Sequence, residues 1–356
     1  MTQTKVKPNY VDLKTLYDRL KQIGFNRDFV KKKLLPDWWD SDFEATQSAV
    51  VEAAAYVSRR TNLDMRSLLY ADSEPFFQES GHHEFKVKQG TLKNELQVAQ
   101  NLCDRVAEIV SYACTTDKAS LVNLSAQEVR KQILSSFPTV TMEGLLDFCW
   151  KNGIPTVHVN KFPKNQKKFD GMVGYFYERP VITICQKRKS AAWLSFTIAH
   201  ELGHILKGHI TEYAIVDEKI RPNESEVNER EGIDDREIEA NEFALEVLFG
   251  QKDANYYLSA NLSSSDLIEY AKQCSLEESA NPSAVVLNYA WYKEKVAITK
   301  KEKEITWAVA QTALHHFEPN SNAPVAINDY LQQYLDLENL SYDNRDYLEQ
   351  MTAEEV

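Results

Sequence analysis

Phe196-Thr197-Ile198-Ala199-His200-Glu201-Leu202-Gly203-His204 is the most informative run in the chain. It contains His-Glu-x-x-His, the core of a zinc peptidase site. Around it, Ala191, Ala192, Trp193, Leu194, Phe196, Ile198, Ala199, Leu202, Ile205 and Leu206 make a segment apolar nearly all round. Such a segment is expected to be a buried helix. At 3.6 residues per turn, His200 and His204 then share one face, one turn apart. Two neutral imidazoles at that separation can grip one tetrahedral Zn²⁺ without quenching its charge. Glu201 follows the first ligand and is placed as general base toward the water that attacks a peptide carbonyl. Three titratable groups in an apolar helix are costly unless a metal or a partner satisfies them.

A peptidase zinc needs a third protein ligand and one open position. The longer form of the motif, with a Gly and a third His, does not fit: Gly208 and His209 are both out of register with it. On a continued helix His209 falls on the side opposite His200, which reads as a surface or helix-terminal histidine. Downstream, Asp234-Asp235-Arg236-Glu237-Ile238-Glu239-Ala240-Asn241-Glu242-Phe243-Ala244-Leu245-Glu246-Val247-Leu248 reads as a second helix, with acids at its positive end and Gly250 as a stop. Glu237, Asn241, Ala244 and Leu248 share one face. Glu237 is therefore the expected third ligand. Asn241 is placed to hydrogen-bond the free ring nitrogen of a zinc histidine. Glu239 is the alternative ligand; otherwise it is a solvated charge. Ala240 and Ala244 are small enough to let the two helices approach closely.

With both segments in view, the chain resembles the ImmA/IrrE family of bacterial zinc metallo-endopeptidases. Phe196 to His204 matches the family's F-T-x-A-H-E-x-G-H signature, and Glu237-Ile238-Glu239-Ala240-Asn241-Glu242-Phe243-Ala244 its E-x-E-A-N-x-F-A signature. Gly153-Ile154-Pro155, Asp170 to Tyr175 and Pro180 to Ile184 read like the strands that precede the family's active helix. The similarity covers roughly residues 140 to 250. It implies a gluzincin-like minidomain, one Zn²⁺ per chain, and cleavage of a protein partner, often a helix-turn-helix repressor. Some relatives respond to DNA damage, stress or phage. After the second motif, Leu245-Glu246-Val247-Leu248-Phe249-Gly250 stands where the family usually has a leucine pair, methionine and proline.

The rest of the chain frames this site. Its 356 residues suffice for two or three domains with a real core. The pattern predicts an α+β chain, mostly helical: a zincin-like minidomain with a small antiparallel sheet, preceded by an all-α N-terminal region. Residues 1–72 read as a helical, helix-turn-helix-like module or plain bundle, 73–139 as a further helical region, 140–260 as the peptidase domain and 261–356 as a helical region. The tail after Ser341 is acidic and reads as frayed. Strands are expected at Thr156 to Val159, and as a hairpin over Gly171 to Tyr177 and Val181 to Cys185. The edge of that hairpin is a natural place for an extended substrate to add a strand. Residues 211–232 read as a polar loop near the site's mouth, with Tyr213 a candidate to steady the tetrahedral oxyanion.

Composition limits the partners. The net charge is −12, which disfavours a general nucleic-acid binder. The exception is residues 161–189, where eight basic residues against Asp170 and Glu178 leave a local +6. That stretch is a solvated rim or a contact for an activating nucleic acid or other polyanion. The five cysteines, with no Cys-x-x-Cys pair, read as reduced thiols of a cytoplasmic protein. The N-terminus lacks a signal-peptide core, and no segment reaches the ~20 apolar residues of a membrane span. His158 alternates with apolar residues and reads as structural; His82 and His83 read as loop histidines. The sequence thus points to a zinc-dependent endopeptidase of regulatory type. Its rival is a non-catalytic zinc-containing binding module of a transcriptional or stress regulator.

Overall fold

The computed structural model describes residues 10–78, 83–86, 93–118, 124–210, 214–222 and 235–353. The chain begins with α1 (Leu13–Gln22), α2 (Arg27–Phe29), which runs into a π-turn over Val30–Leu34, α3 (Ser41–Glu44), α4 (Ala49–Thr61) and α5 (Met65–Leu69). Strand β1 (His83–Lys86) and the long α6 (Lys93–Ala113) follow, then α7 (Ala126–Leu134) and α8 (Met142–Lys151). The centre of the chain holds β2 (Thr156–His158), β3 (Gly171–Phe176), β4 (Arg179–Ile184), α9 (Ala191–Leu206), β5 (Ala214–Asp217) and α10 (Asp235–Phe249). Five helices close it: α11 (Ser264–Glu278), α12 (Pro282–Val296), α13 (Lys300–Phe317), α14 (Ala323–Tyr334) and α15 (Tyr342–Thr352). The fold is α+β and mostly helical, as the pattern predicts.

The five strands form one mixed sheet in the order β1-β5-β3-β4-β2. The expected small antiparallel sheet is corrected here. The β3–β4 hairpin and the β3–β5 pair are antiparallel, but β2 runs parallel to β4 and β1 parallel to β5. A sequence read in short windows shows the hairpin and misses pairings between strands far apart in the chain. The N-terminal region is not all-α either, since β1 belongs to the sheet. The hairpin turns on Tyr177 and Glu178, both at positive φ, which suits the twist of a two-residue turn. No helix among the described residues is long and apolar enough to cross a membrane.

Local chemistry explains most helix starts. Ser125 and Glu128 form the capping box read at the start of α7. Ser190 caps α9, and the Glu318 carboxylate accepts from the free N–H groups of Ala191 and Ala192. From Ala192 to Leu206 every residue of α9 is buried, so the helix runs through the core. It packs on α10 where Gly203 meets Ala240: a Cβ on Gly203 would lie 3.2 Å from the Ala240 backbone. Helix α4 is tied to the last helix as well. Arg60, fully buried on α4, donates to Asp343 at 2.6 Å and Asp346 at 2.8 Å on α15. Of the tail expected to fray, Tyr342–Thr352 forms that helix, with Tyr347 and Met351 buried in the core, and residues 354–356 lie outside the described residues. An acidic tail holds here because a buried arginine takes up its charge.

Candidate metal centre

Four side chains converge at the junction of α9, α10 and β5. His200 and His204 of α9 bring their Nε2 atoms within 3.1 Å of each other. Glu237 of α10 reaches both, Oε2 lying 3.4 Å from His200 Nε2 and Oε1 3.5 Å from His204 Nε2. Asp217, the last residue of β5, places Oδ2 3.6 Å from His200 Nε2 and 3.7 Å from His204 Nε2. One atom from each residue lies within 4.8 Å of all the others, so the group can hold a metal ion. Donors about 2.0–2.2 Å from a tetrahedral centre sit about 3.3–3.6 Å apart, close to the spacings between imidazole and carboxylate here. Both histidines and Asp217 are buried, while the Glu237 side chain is 19% exposed, so solvent approaches from its side.

The outer nitrogens of the two imidazoles are held by a second ring of contacts. Asn241 Oδ1 lies 3.0 Å from His200 Nδ1 and accepts that ring's N–H, which leaves Nε2 for the cluster. His204 Nδ1 lies 3.0 Å from His209 Nδ1, and His209 Nε2 lies 3.1 Å from Glu239 Oε2. The consistent tautomers are His204 donating to His209 and His209 donating to Glu239. Burial lowers the His209 pKa against the opposing pull of Glu239, in keeping with a neutral, accepting ring.

His209 is therefore a buried residue, not a surface one. The helical arithmetic fails because α9 stops at Leu206 and Gly208, at φ +70°, turns the chain back onto His204. Glu239, the alternative ligand, sits on His209 instead of among the four donors, with its side chain 53% exposed. We expect His209→Ala to weaken metal binding about 10- to 100-fold, as loss of such an outer contact usually does. Competition with a chromophoric chelator measures this, and unchanged affinity would remove the positioning role.

Glu201 lies fully buried beside the cluster, and among the described residues neither carboxylate oxygen has a hydrogen-bond partner. It rests against β3: a Cβ on Gly171 would collide with Glu201 Oε1, so only glycine leaves it room. Burial pushes its pKa well up, the Asp217 and Glu237 charges add to this, and His200 opposes it. On His200 burial disfavours a proton, but contact with Asp217 and Glu237 outweighs it and raises the pKa well above normal. The field that would keep a proton on His200 is the field that would draw a divalent cation. Three carboxylates and two imidazoles buried together are costly without one.

Sequence reading missed Asp217. It treated residues 211–232 as loop, whereas Ala214-Ile215-Val216 is a buried strand ending at that acid. The apolar triplet was a strand signal; nothing in the spacing tied the carboxylate to the histidines. Tyr213 and His82 lie outside the described residues. His158 is buried, and its Nε2 donates to the Gln186 carbonyl at 2.7 Å.

The basic segment is partly committed. Arg179 is buried on the Gly153 and Thr116 carbonyls, Lys167 pairs with Glu95, and Arg188 lies over the Trp193 ring. Comparison with protein-family models, curated proteins and solved structures finds no match.

Proposed function

We propose that this protein is a zinc-dependent endopeptidase of regulatory type that cleaves a specific protein partner. The observation that carries it is a buried Glu201 that no described residue hydrogen-bonds, beside a donor set of two imidazoles and two carboxylates. That set suits zinc over magnesium or calcium, which prefer all-oxygen shells. His200, His204 and Glu237 would hold the ion, with Asn241 and His209 fixing the rings. Bound zinc lowers the pKa of water and polarises a carbonyl as a Lewis acid. Glu201 would take the proton of the attacking water and hand it to the departing amine. The ImmA/IrrE resemblance suggests a helix-turn-helix repressor as substrate. A polyanionic activator would dock on the exposed part of the basic segment, at Lys164, Lys187 and Lys189.

A non-catalytic zinc-containing binding module is the second reading, and one observation favours it. With Asp217 the cluster offers four protein donors, and closed four-donor sites are usually structural. A structural site, however, has no use for a buried carboxylate without a partner. Elemental analysis of the purified protein beside His204→Ala and Glu237→Ala tests the foundation of both. About one zinc per chain, lost in both variants, is expected; a folded, metal-supplemented wild type without zinc would overturn the reading.

A further inference from the structure

The sheet edge expected to receive substrate is filled by the chain itself. Strand β5 lies antiparallel along β3, with Gly171 opposite Asp217, Met172 opposite Val216 and Val173 opposite Ile215. Antiparallel addition to such an edge is how extended peptides are commonly bound. The strand is held closely. A Cβ on Gly174 would come within 2.6 Å of the Ala214 Cβ, so the glycine permits the approach. At the other end Asp170 N donates to the Asp217 carbonyl at 2.9 Å, and the Asp170 carboxylate accepts from Ile220 N at 3.1 Å. That register delivers the Asp217 carboxylate to the corner of the donor set left open by His200, His204 and Glu237.

Building on the peptidase reading, we infer that β5 is an internal stand-in for substrate: Ala214–Asp217 occupies the substrate's strand position and Asp217 caps the metal corner, so the folded enzyme is latent. Catalytic zinc sites keep one position for water. Filling it with a protein carboxylate and the edge with a protein strand blocks both requirements at once. Release requires β5 to leave β3 and to carry or give up its parallel partner β1 on the other side; an incoming peptide can then remake the β3 hydrogen bonds.

The test uses the full chain loaded with Co²⁺ and titrated with acetohydroxamate, a small bidentate ligand for open metal sites. Visible absorption reports coordination, and cleavage of a quenched-fluorescent peptide library is followed in parallel. Asp217→Asn keeps the shape of the side chain, Asp217→Ala removes it, and Gly174→Ala loosens β5 without touching the cluster. If the open form is a minor state of about 0.1–10%, all three should bind acetohydroxamate about 10- to 1,000-fold tighter than wild type. Metal content should stay near that of wild type, and cleavage should rise in step.

Tighter binding with no cleavage by any form keeps Asp217 at the fourth corner and removes the peptidase reading. A wild type that binds and cleaves as well as the variants overturns the latch and leaves the peptidase. Loss of metal from both Asp217 variants also overturns it, by making Asp217 an obligatory ligand.

Discussion

Glu201→Gln should lower peptide cleavage by about 10²- to 10⁴-fold, the usual contribution of a positioned general base. Zinc content should not change. The glutamine keeps the length and planarity of the side chain, so it fits against Gly171 of β3 where Glu201 now lies. It cannot accept the proton of the attacking water. The amide is neutral at any pH and so carries no charge to bury, and the variant should be no less stable than wild type. The comparison is best made in the Asp217→Asn background, where the metal corner is open. Full activity in the glutamine form would sink the mechanism, because among the described residues no other buried carboxylate lies beside the cluster outside the donor set. Loss of zinc together with activity would instead make Glu201 a structural support.

Stripping the metal should lower the melting temperature by about 5 °C, and restoring zinc should recover it. An ion at 1,000 times its dissociation constant stabilises the folded state by about 4 kcal/mol, and at about 2.1 cal/mol/K of unfolding entropy per residue each kcal/mol shifts a chain of this length by roughly 1.3 °C. The physical source is local. Without a cation, Glu201, Asp217 and Glu237 crowd their carboxyls around two buried imidazoles. Some must then take up protons or force the pocket open. The strain falls on α9, which runs through the core, and on its contact with α10 at Gly203 and Ala240. His204→Ala and Glu237→Ala should melt at one temperature with or without zinc. Calorimetry on the three proteins with added chelator checks this, and a wild type indifferent to chelation would rule out a tightly held metal.

Much of this centre is legible in the order of residues because helices are local. Period 3.6 puts His200 and His204 on one face, sets Glu201 beside the first, and aligns Glu237 with Asn241 four residues on. The apolar surroundings of α9 announce burial, and alanines in the second segment announce a close helix pair. These statements need no knowledge of the rest of the chain. They run out where a helix ends. A two-residue turn at Gly208 sends His209 back onto His204 and gives Glu239 a role as its acceptor, against the expectation from a continued helix.

What the sequence determined by itself is therefore the pair of motif helices, the candidate donors on them and the mostly helical α+β character. Tertiary structure alone decided the mixed sheet, the inclusion of β1, the anchoring of α15 by Arg60 and, above all, the position of Asp217. The reason lies in the range of the interactions. A helix face is set by hydrogen bonds four residues apart, whereas strand partners are chosen by packing between segments distant in the chain. Only the β3–β5 pairing brings a carboxylate from outside both motifs to the corner that a water would need.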